Sequence, residues 1–350
     1  MTRILIVRLG ALGDIVHAIP VAAALRRAFP TARIDWLVSS KHREILDLVP
    51  VVDQRIAVND RGGADRSGVS LISAVARLRR ERYDVALDLQ GLIKSAIIAR
   101  AAGARRVVGF AARYLREPAA RFFYTDVHDP GGEGAFARSE TRHIVEINLG
   151  ILGLLGVEAA PPEFPLARVE SSVARHLRDE AGGRYALLNP GAAWPNKRWP
   201  PERFAEVAAA LRDRRGLKSV VLWGPGEQEL ANSVVSNAGG AAVAAPRTTI
   251  ADVVEIARGA SVTVSGDTGP THIAAAVGTP IVGLYGPTRP ERNGPWIADD
   301  IAISRAAICQ CHHLRRCKLP VMCLLDIQPS EVVDAVERRL HAAQKAGREP

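Results

Sequence analysis

The chain has 350 residues, 47% of them hydrophobic, which suggests about two domains with sizeable cores, and its net charge of +9 favours an anionic partner. Aromatic residues account for only 5% and do not alternate with basic ones, so we expect no nucleic-acid partner. The sequence contains neither an apolar run long enough to cross a membrane nor an adequate signal peptide, so we expect a cytoplasmic protein.

Apolar runs and helical patterns alternate along the first third of the chain. The predicted strands are residues 3–8, 32–38, 51–58, 83–88 and 107–109. The predicted helices are residues 15–29, bent at Pro20, then 43–48 and 71–81, with a further helix starting within residues 90–95. Residues 59–68 are predicted to form a polar loop. This alternation predicts an α/β fold with a doubly wound parallel sheet, which binds ligands at the carboxyl ends of its strands.

The first strand is followed by a glycine-containing turn, residues 9–14 (LGALGD). Its spacing differs from the G-x-G-x-x-G pattern of dinucleotide sites. Asp14 opens the next helix, where it would serve either as an N-cap or as a general base at the carboxyl edge of the sheet. Lys94, at the start of a later helix, is either an anion ligand or a surface lysine. The residues alone leave both choices open.

Residues 158–168 contain three prolines and little periodicity, so we interpret them as a linker. This divides the chain into residues 1–160, residues 169–328 and a final amphipathic segment, 329–350. The alternation restarts after the linker. Strands are predicted at residues 185–188, 219–223, 261–265 and 280–285, and helices at residues 201–212, 250–258 and 329–343.

The strongest polar turn is residues 266–276 (GDTGPTHIAAA), between two predicted strands. Pro270 suits the first turn of a helix, so Thr268 and Gly269 lie at a helix N-terminus, where N–H groups and a partial positive charge favour phosphate. A carboxylate repels phosphate, however. Asp267 is therefore either a cap or a ligand for a sugar hydroxyl.

Five motifs in order resemble glycosyltransferase family 9. They are residues 9–14, 197–200 (KRWP), 223–227 (WGPGE), 267–272 (DTGPTH) and 285–287 (YGP). Within that family, residues 88–95 (DLQGLIKS) and 116–118 (REP) are similar to the lipopolysaccharide heptosyltransferase I branch. The resemblance extends from the start of the chain to about residue 290, and the final helix fits it too.

This resemblance implies a GT-B fold, with two Rossmann-like domains facing across a cleft and a C-terminal helix packing back towards the first. The first domain would bind the acceptor and the second the nucleotide sugar. The implied reaction is an inverting, metal-independent transfer of L-glycero-D-manno-heptose from ADP-heptose to Kdo of Kdo-lipid A. No cofactor is implied, and the enzyme would work in peripheral contact with the inner membrane.

The resemblance also assigns residues to the donor's diphosphate. Without a metal ion, the charge of this leaving group must be met by cations and N–H groups. Lys197 and the turn containing Thr268 and Gly269 would supply them. His272, just inside the helix, either assists the phosphates or is a packed core histidine.

The remaining assignments concern the sugars and the acceptor. By similarity, Asp14 would be the base that deprotonates the acceptor hydroxyl, as an inverting transfer requires. Glu227 would bind the adenosine ribose, and Asp267 the heptose hydroxyls. Lys94 and Arg116 would meet carboxylates or phosphates of the acceptor.

A basic stretch, residues 100–121, holds six arginines against one acid, Glu117. It is either a solvated surface or a site of electrostatic attraction to anionic lipid headgroups. Five of these arginines are the candidates for membrane contact: Arg105, Arg106, Arg113, Arg116 and Arg121.

All four cysteines lie within residues 309–323 with the spacing C-x-C-x5-C-x5-C: Cys309, Cys311, Cys317 and Cys323. This spacing matches no standard zinc pattern, and a reducing cytosol disfavours structural disulfides. A metal or iron–sulfur site is one interpretation. Reduced thiols or a conditional disulfide are the other.

Three alternatives to the implied function remain at this stage. A nucleotide-sugar epimerase of similar architecture would need no basic acceptor surface. A non-catalytic nucleotide-sugar or nucleic-acid binder would leave Asp14 as a cap. Another family 9 enzyme, such as heptosyltransferase II, would differ only in its sugar or acceptor.

Overall fold

The computed structural model describes residues 2–59, 69–311, 314–317 and 320–347. It divides the chain into two units, Met1–Ala167 and Arg168–Pro350, and the predicted linker contains this boundary. Most of the predicted loop at residues 59–68 lies outside the described residues. No helix within the described ranges is long and apolar enough to span a bilayer.

The first unit contains a six-stranded parallel sheet in the order β3-β2-β1-β4-β5-β6. The strands are β1 (Arg3–Val7), β2 (Arg33–Ser39), β3 (Gln54–Val58), β4 (Val85–Asp88), β5 (Arg106–Phe110) and β6 (Asp126–His128). In register, Val7 of β1 pairs with Leu37 of β2 and with Asp88 of β4. The central strands are almost continuously buried, as expected for a parallel sheet covered on both faces.

Six α-helices connect or flank the described strands of the first unit. They are α1 (Leu12–Val16), α2 (Ile19–Ala28), α3 (Glu44–Asp47), α4 (Leu71–Glu81), α5 (Ile93–Ala101) and α6 (Ile144–Gly150). The single helix predicted over residues 15–29 is wrong, because α1 and α2 are separate. Pro20 lies in the first turn of α2, where its missing N–H costs nothing, rather than bending a continuous helix.

The second unit repeats the topology, with a six-stranded parallel sheet in the order β12-β11-β10-β7-β8-β9. Its strands are β7 (Tyr185–Asn189), β8 (Lys218–Val221), β9 (Ala242–Ala244), β10 (Val262–Gly266), β11 (Ile281–Tyr285) and β12 (Ile301–Ser304). Numbered within each unit, both orders are 3-2-1-4-5-6, the arrangement of nucleotide-binding Rossmann sheets. The predicted α/β class is therefore confirmed.

Seven α-helices lie within the described residues of the second unit. They are α7 (Ser172–Glu180), α8 (Pro201–Arg215), α9 (Gln228–Asn237), α10 (Ile250–Gly259), α11 (Gly269–Ala276), α12 (Pro290–Asn293) and α13 (Pro329–Lys345). Helix α13 packs on α8, β10, β11 and β12, and its Val332, Val336 and Leu340 join the core of this unit. The expected packing of this helix towards the first domain stays a prediction.

A buried ion pair also holds α13. The Arg339 Nε atom lies 2.7 Å from Asp300 Oδ1, and the two side chains are only 2% and 0% exposed. Burial raises the pKa of Asp300, and the hydrogen bond from Arg339 opposes that rise. The pair fixes α13 to the loop that precedes β12.

Candidate active site

Polar side chains join the carboxyl ends of β7 and β10, which are neighbours in the second sheet. Asn189, the last residue of β7, donates from Nδ2 to Ser265 Oγ and to Thr268 Oγ1, both at 3.0 Å. Thr271 donates to the carbonyl oxygen of Gly266 at 2.6 Å. The Thr268 side chain takes part in this network instead of capping α11. The helix N-terminus therefore keeps backbone N–H groups that can bind an anion.

Asp267, between β10 and α11, is the most buried charged group of this turn. Its side chain is 5% exposed, with Oδ2 at 2.6 Å from Lys197 Nζ and Oδ1 at 3.1 Å from His272 Nε2. Burial alone would raise the pKa of Asp267, but the His272 hydrogen bond and the Lys197 charge outweigh it, so the pKa is lowered. The carboxylate is therefore ionised at neutral pH.

Lys197 ends a 3-10 turn, Pro195–Lys197, and is held from two sides. Its Nζ atom bonds Asp267 and also lies 4.4 Å from the centroid of the Trp194 ring, a cation–π contact. An ammonium group has three N–H donors, and Asp267 takes one of them. Lys197 is thus oriented while retaining the capacity to donate to a ligand.

Glu227 immediately precedes α9. Its Oε2 accepts from the Gly224 N–H at 3.0 Å, and its Oε1 lies 3.6 Å from an Arg198 nitrogen. The carboxylate lies against Gly191, where an added Cβ would come within 2.1 Å of Oε2. Gly191 therefore provides the space that Glu227 occupies.

Three of the residues assigned to the donor are in contact with one another. Lys197 and Asp267 form one ion pair. His272 contacts Asp267 and is buried, and its role at the phosphates stays a prediction. The sequence reasoning assigned no role to Trp194 or Arg198, although Arg198 belongs to the motif 197–200 and Trp194 lies three residues before Lys197.

In the first unit, Asp14 lies in α1, after the turn that follows β1. Arg8 is 2.9 Å from Asp14 Oδ2, and the Ala11 N–H donates to the same oxygen at 3.0 Å. Both contacts fall on Oδ2, and the side chain is 37% exposed. Asp14 therefore does stabilise the start of the helix, and this leaves its second oxygen for another role.

Lys94 lies in the first turn of α5, and the loop containing Arg116 passes the start of that helix. An added Cβ at Gly91 would lie 3.8 Å from the Arg116 backbone nitrogen, and Glu117 accepts from the Ile93 N–H at 2.7 Å. The structure thus brings the segments of Lys94 and Arg116 together, with Arg116 exposed.

The turn before α5 is built on a buried carboxylate, Asp88. It accepts hydrogen bonds from the Gln90 N–H, the Ser95 hydroxyl and the Tyr124 hydroxyl, at 2.9, 2.9 and 2.8 Å. Burial raises the pKa of Asp88 against the effect of these donors. The sequence analysis named Asp88 only as the last residue of a predicted strand and the first residue of the motif 88–95.

The arginines of the basic stretch, residues 100–121, differ in their ion pairs and in their exposure. Arg106 lies 2.7 Å from Asp126 and also donates to the Leu154 carbonyl, while Arg113 pairs with Asp129 at 2.5 Å. These two arginines join structural elements. Arg105, Arg116 and Arg121 are exposed instead, Arg105 at 85%.

The four cysteines lie between β12 and α13, and none forms a disulfide. Cys309 and Cys311 are buried, and Cys311 Sγ lies 3.0 Å from Cys317 Sγ. Within the described ranges, no group of three or more His, Cys, Asp or Glu side chains is arranged so that it could hold a metal ion. His312 and His313 lie outside the described residues.

Known proteins resemble this chain over most of its length. The model of glycosyltransferase family 9 (heptosyltransferase) matches residues 72–322. Lipopolysaccharide heptosyltransferase 1 of Pseudomonas aeruginosa is 30% identical over 300 residues, covering 84% of this chain and 81% of that protein.

Solved structures give the same result for the fold. A family 9 glycosyltransferase from Veillonella parvula has a TM-score of 0.78 at 24% identity and covers 97% of both chains. E. coli heptosyltransferase WaaC with ADP-2-deoxy-2-fluoro heptose has a TM-score of 0.72 at 25% identity and covers 96% of this chain and 99% of that one. The fold is therefore of the GT-B type.

We expect Asp267→Asn to destabilise the second unit by about 3 kcal/mol at neutral pH, because it breaks a buried ion pair. The folded-state pKa of Asp267 lies below that of a free aspartate, so its contribution is fully present above the free value and is lost progressively as the pH falls from there through the folded-state pKa. Urea unfolding of both proteins should show a difference that is constant above about pH 5 and shrinks below about pH 4. Asp179→Asn, at an exposed position of α7, is the control. A difference independent of pH would contradict the lowered pKa.

Proposed function

The chain belongs to glycosyltransferase family 9, and from this premise we propose that it transfers L-glycero-D-manno-heptose from ADP-heptose to Kdo of Kdo-lipid A. We further propose inversion at the anomeric carbon, without a metal ion. The coarser statement, an enzyme that transfers heptose in lipopolysaccharide synthesis, follows from its similarity to heptosyltransferases. The observation that carries the proposal is the Lys197–Asp267–His272 group at the start of α11.

This group has the chemistry that a sugar diphosphate requires. Lys197 is oriented by Asp267 and Trp194, and its remaining N–H donors would meet the phosphate oxygens together with the N-terminal N–H groups of α11. These donors would stabilise the charge that develops on the diphosphate as it leaves. An oriented lysine and a helix N-terminus would thus provide the charge stabilisation that a metal ion provides in other enzymes.

The sugar and nucleoside would be bound by the two carboxylates of the second unit. A carboxylate offers about four acceptor positions, and Lys197 and His272 use two of those on Asp267. The others would accept from heptose hydroxyls. Glu227, held in place by Gly224, would accept from the ribose hydroxyls.

Asp14 would be the general base. Its Oδ2 is fixed by Arg8 and Ala11, so Oδ1 would take the proton from the attacking Kdo hydroxyl. Lys94 and Arg116, whose chain segments meet at the start of α5, would bind carboxylate or phosphate groups of the acceptor.

The acceptor is a lipid, and an exposed surface of the first unit suits a membrane. Phe122, in the 3-10 turn Pro118–Phe123, is 85% exposed, and Ile93 and Ile97 are exposed one turn apart on α5, against which that turn packs. Arg121 lies in the same turn, and Arg116 lies two residues before it. Apolar side chains next to arginines are suited to an anionic bilayer surface.

Family membership favours transfer over the epimerase and the non-catalytic binder, and heptosyltransferase II is the nearest rival. Mass spectrometry of the products distinguishes them. We expect a heptosylated Kdo-lipid A and free ADP, with other nucleotide sugars inactive in parallel reactions. Product formed only on an acceptor that already carries heptose would favour heptosyltransferase II.

We expect Asp14→Asn to reduce turnover by roughly 100-fold or more, because an amide keeps the size and hydrogen-bonding capacity of Asp14 but cannot accept the proton. The measurement is kcat on Kdo-lipid A, with thermal unfolding to show that the fold is retained. Asp47→Asn, which changes a half-exposed carboxylate of α3, is the matched control. A folded Asp14→Asn enzyme with near-normal kcat would rule out the base.

We expect Lys197→Ala to weaken ADP-heptose binding or slow the transfer, by roughly tenfold or more, since a charged hydrogen bond to the diphosphate is lost. Lys218→Ala in β8 should behave as wild type.

Transfer by the wild type should survive EDTA. Loss of activity in EDTA that magnesium restores would contradict a metal-free mechanism.

We expect binding to anionic vesicles that weakens as salt rises, because screening acts within about 10 Å at 0.1 M. Arg106 is bound to Asp126, so its replacement would perturb the fold, and the informative variant is Arg105→Glu with Arg121→Glu. At about 1 kcal/mol for each basic residue, this variant should bind at least roughly 30-fold more weakly. ADP binding should be unchanged.

Arg175→Glu with Arg214→Glu makes the same charge change on exposed helices of the second unit. If both double variants co-sediment with vesicles equally at low salt, only net charge matters and the surface has no special role.

A further inference from the structure

Cys311 and Cys317 form a close pair of thiols that the proposed transfer reaction does not use. Their Sγ atoms lie 3.0 Å apart, and neither cysteine takes part in a disulfide. A disulfide bond is about 2.05 Å long, so the two sulfurs would need to approach each other by only about 1 Å to form one. Two sulfurs at this separation are arranged for reversible bond formation.

The two thiols differ in their accessibility. Cys311 is 1% exposed, whereas Cys317 is only partly buried. An oxidant in solvent would therefore reach the sulfur of Cys317 first, while Cys311 is shielded from it. One accessible thiol beside a protected neighbour is the arrangement of an attacking and a resolving cysteine.

The residues between the two cysteines have little packing of their own. Within this segment, 311–317, which we call the cysteine loop, Leu314, Arg315 and Arg316 are exposed and belong to no strand or helix. The Leu314 N–H donates to the Cys311 carbonyl at 3.0 Å, and the Leu314 carbonyl accepts from Asn196 Nδ2 at 2.9 Å. A covalent bond across the ends of such a loop would restrict its motion.

The cysteine loop also supports the turn that carries Lys197. Asn196 lies in that turn, Pro195–Lys197, and is only 4% exposed. Its Nδ2 donates to Leu314, while its buried Oδ1 has no hydrogen-bond partner among the described residues. Loss of the Leu314 bond would leave this buried amide without compensation for its burial, which is costly. The order of the loop is therefore coupled to the order of the lysine turn.

We propose that Cys311 and Cys317 are a reversible redox pair, which hydrogen peroxide oxidises to a disulfide that holds the cysteine loop against Asn196. Disulfides in a reducing compartment are usually transient and redox-sensing, and this pair would be of that kind. Because the sulfurs are already adjacent, the bond would preserve the observed position of Leu314. The effect on donor binding rests on the role proposed above for Lys197.

The reaction balances with peroxide as the oxidant. The Cys317 sulfur attacks one peroxide oxygen, the O–O bond breaks, and the departing hydroxide takes the thiol proton and leaves as water. The Cys311 sulfur then attacks the sulfur of the Cys317 sulfenic acid. The S–O bond breaks as the S–S bond forms, and the Cys311 proton leaves with the hydroxide as a second water. The two thiols together lose two electrons, which an external thiol returns by exchange.

The primary test identifies the pair by mass spectrometry of the full-length protein. Reduced protein is treated with hydrogen peroxide, the remaining thiols are alkylated, and the chain is cut with trypsin. Cleavage after Arg315 and Arg316 places Cys311 and Cys317 in different peptides, and fragmentation distinguishes Cys311 from Cys309. We expect a link between Cys311 and Cys317 that dithiothreitol reverses.

Two serine variants test the assignment. Cys317→Ser should not form the link, whereas Cys309→Ser, at another buried thiol two residues from Cys311, should form it as the wild type does. Pairing of Cys317 with Cys309 or Cys323 in the wild type would overturn the proposal. Oxidation of Cys317 to a sulfinic acid while Cys311 is still alkylated would also overturn it, because the buried thiol would then have failed to resolve the sulfenic acid.

A second measurement tests the coupling to Lys197. ADP affinity, measured by calorimetry, should be roughly two- to tenfold higher in the disulfide form than in the reduced form, because the lysine turn is already ordered when ADP binds. Asn196→Ala should form the disulfide but bind ADP equally in both forms, since its turn no longer contacts Leu314. Equal ADP affinity of the two wild-type forms would overturn the coupling.

Disulfide formation is measured without a transfer reaction, so this inference and the proposed function can fail separately. A protein that links Cys311 to Cys317 but transfers no heptose would support the redox pair and contradict the proposed function. An active heptosyltransferase in which peroxide leaves all four cysteines free for alkylation would overturn the redox pair alone.

Discussion

The candidate site of the second unit depends on the burial of a negative charge, at Asp267. Removing a carboxylate from water is costly unless charged and hydrogen-bonding partners compensate. Here Lys197 and His272 provide this compensation from two different elements, and their geometry is fixed as a result. Because the carboxylate needs both partners, it determines where the lysine and the histidine lie. The proposed donor site would therefore already be oriented before its ligand binds.

The two units have the same strand order but use the carboxyl ends of their strands differently. In the first unit, Asp88 is buried under backbone and hydroxyl donors and shapes the turn before α5. In the second, Asn189 and Thr268 join neighbouring strands and leave the start of α11 available. The same topology thus produces a turn held by an internal carboxylate in one unit and, in the other, a helix N-terminus without a side-chain cap. This difference is consistent with the separate acceptor and donor roles proposed for the units.

Sequence patterns predicted the helices α4, α8, α10 and α13 but missed α7 and α9. Helix α4 has the predicted bounds, 71–81, because its apolar residues recur at helical spacing. The sequence analysis missed β6, β9 and β12, which have only three or four residues and weak burial patterns. Side-chain pairing could not be predicted, because it depends on distance in space. Lys197 and Asp267 are 70 residues apart in the sequence. Arg106 was predicted to be a candidate for membrane contact, but in the structure it pairs with Asp126.

The ion pair between Asp300 and Arg339 has a consequence for the order in which the second unit is completed during synthesis. Asp300 lies just before β12, the last strand along the chain, and its partner follows 39 residues later, in α13. While the ribosome makes the chain, all six strands of this sheet emerge before the guanidinium that neutralises the Asp300 carboxylate. A sheet formed at that moment would bury a lone charge at the edge next to β12, or leave that edge hydrated. The Asp300 carboxylate can therefore be neutralised by Arg339 only once α13 has been made, whereas every described strand of the first unit precedes residue 129.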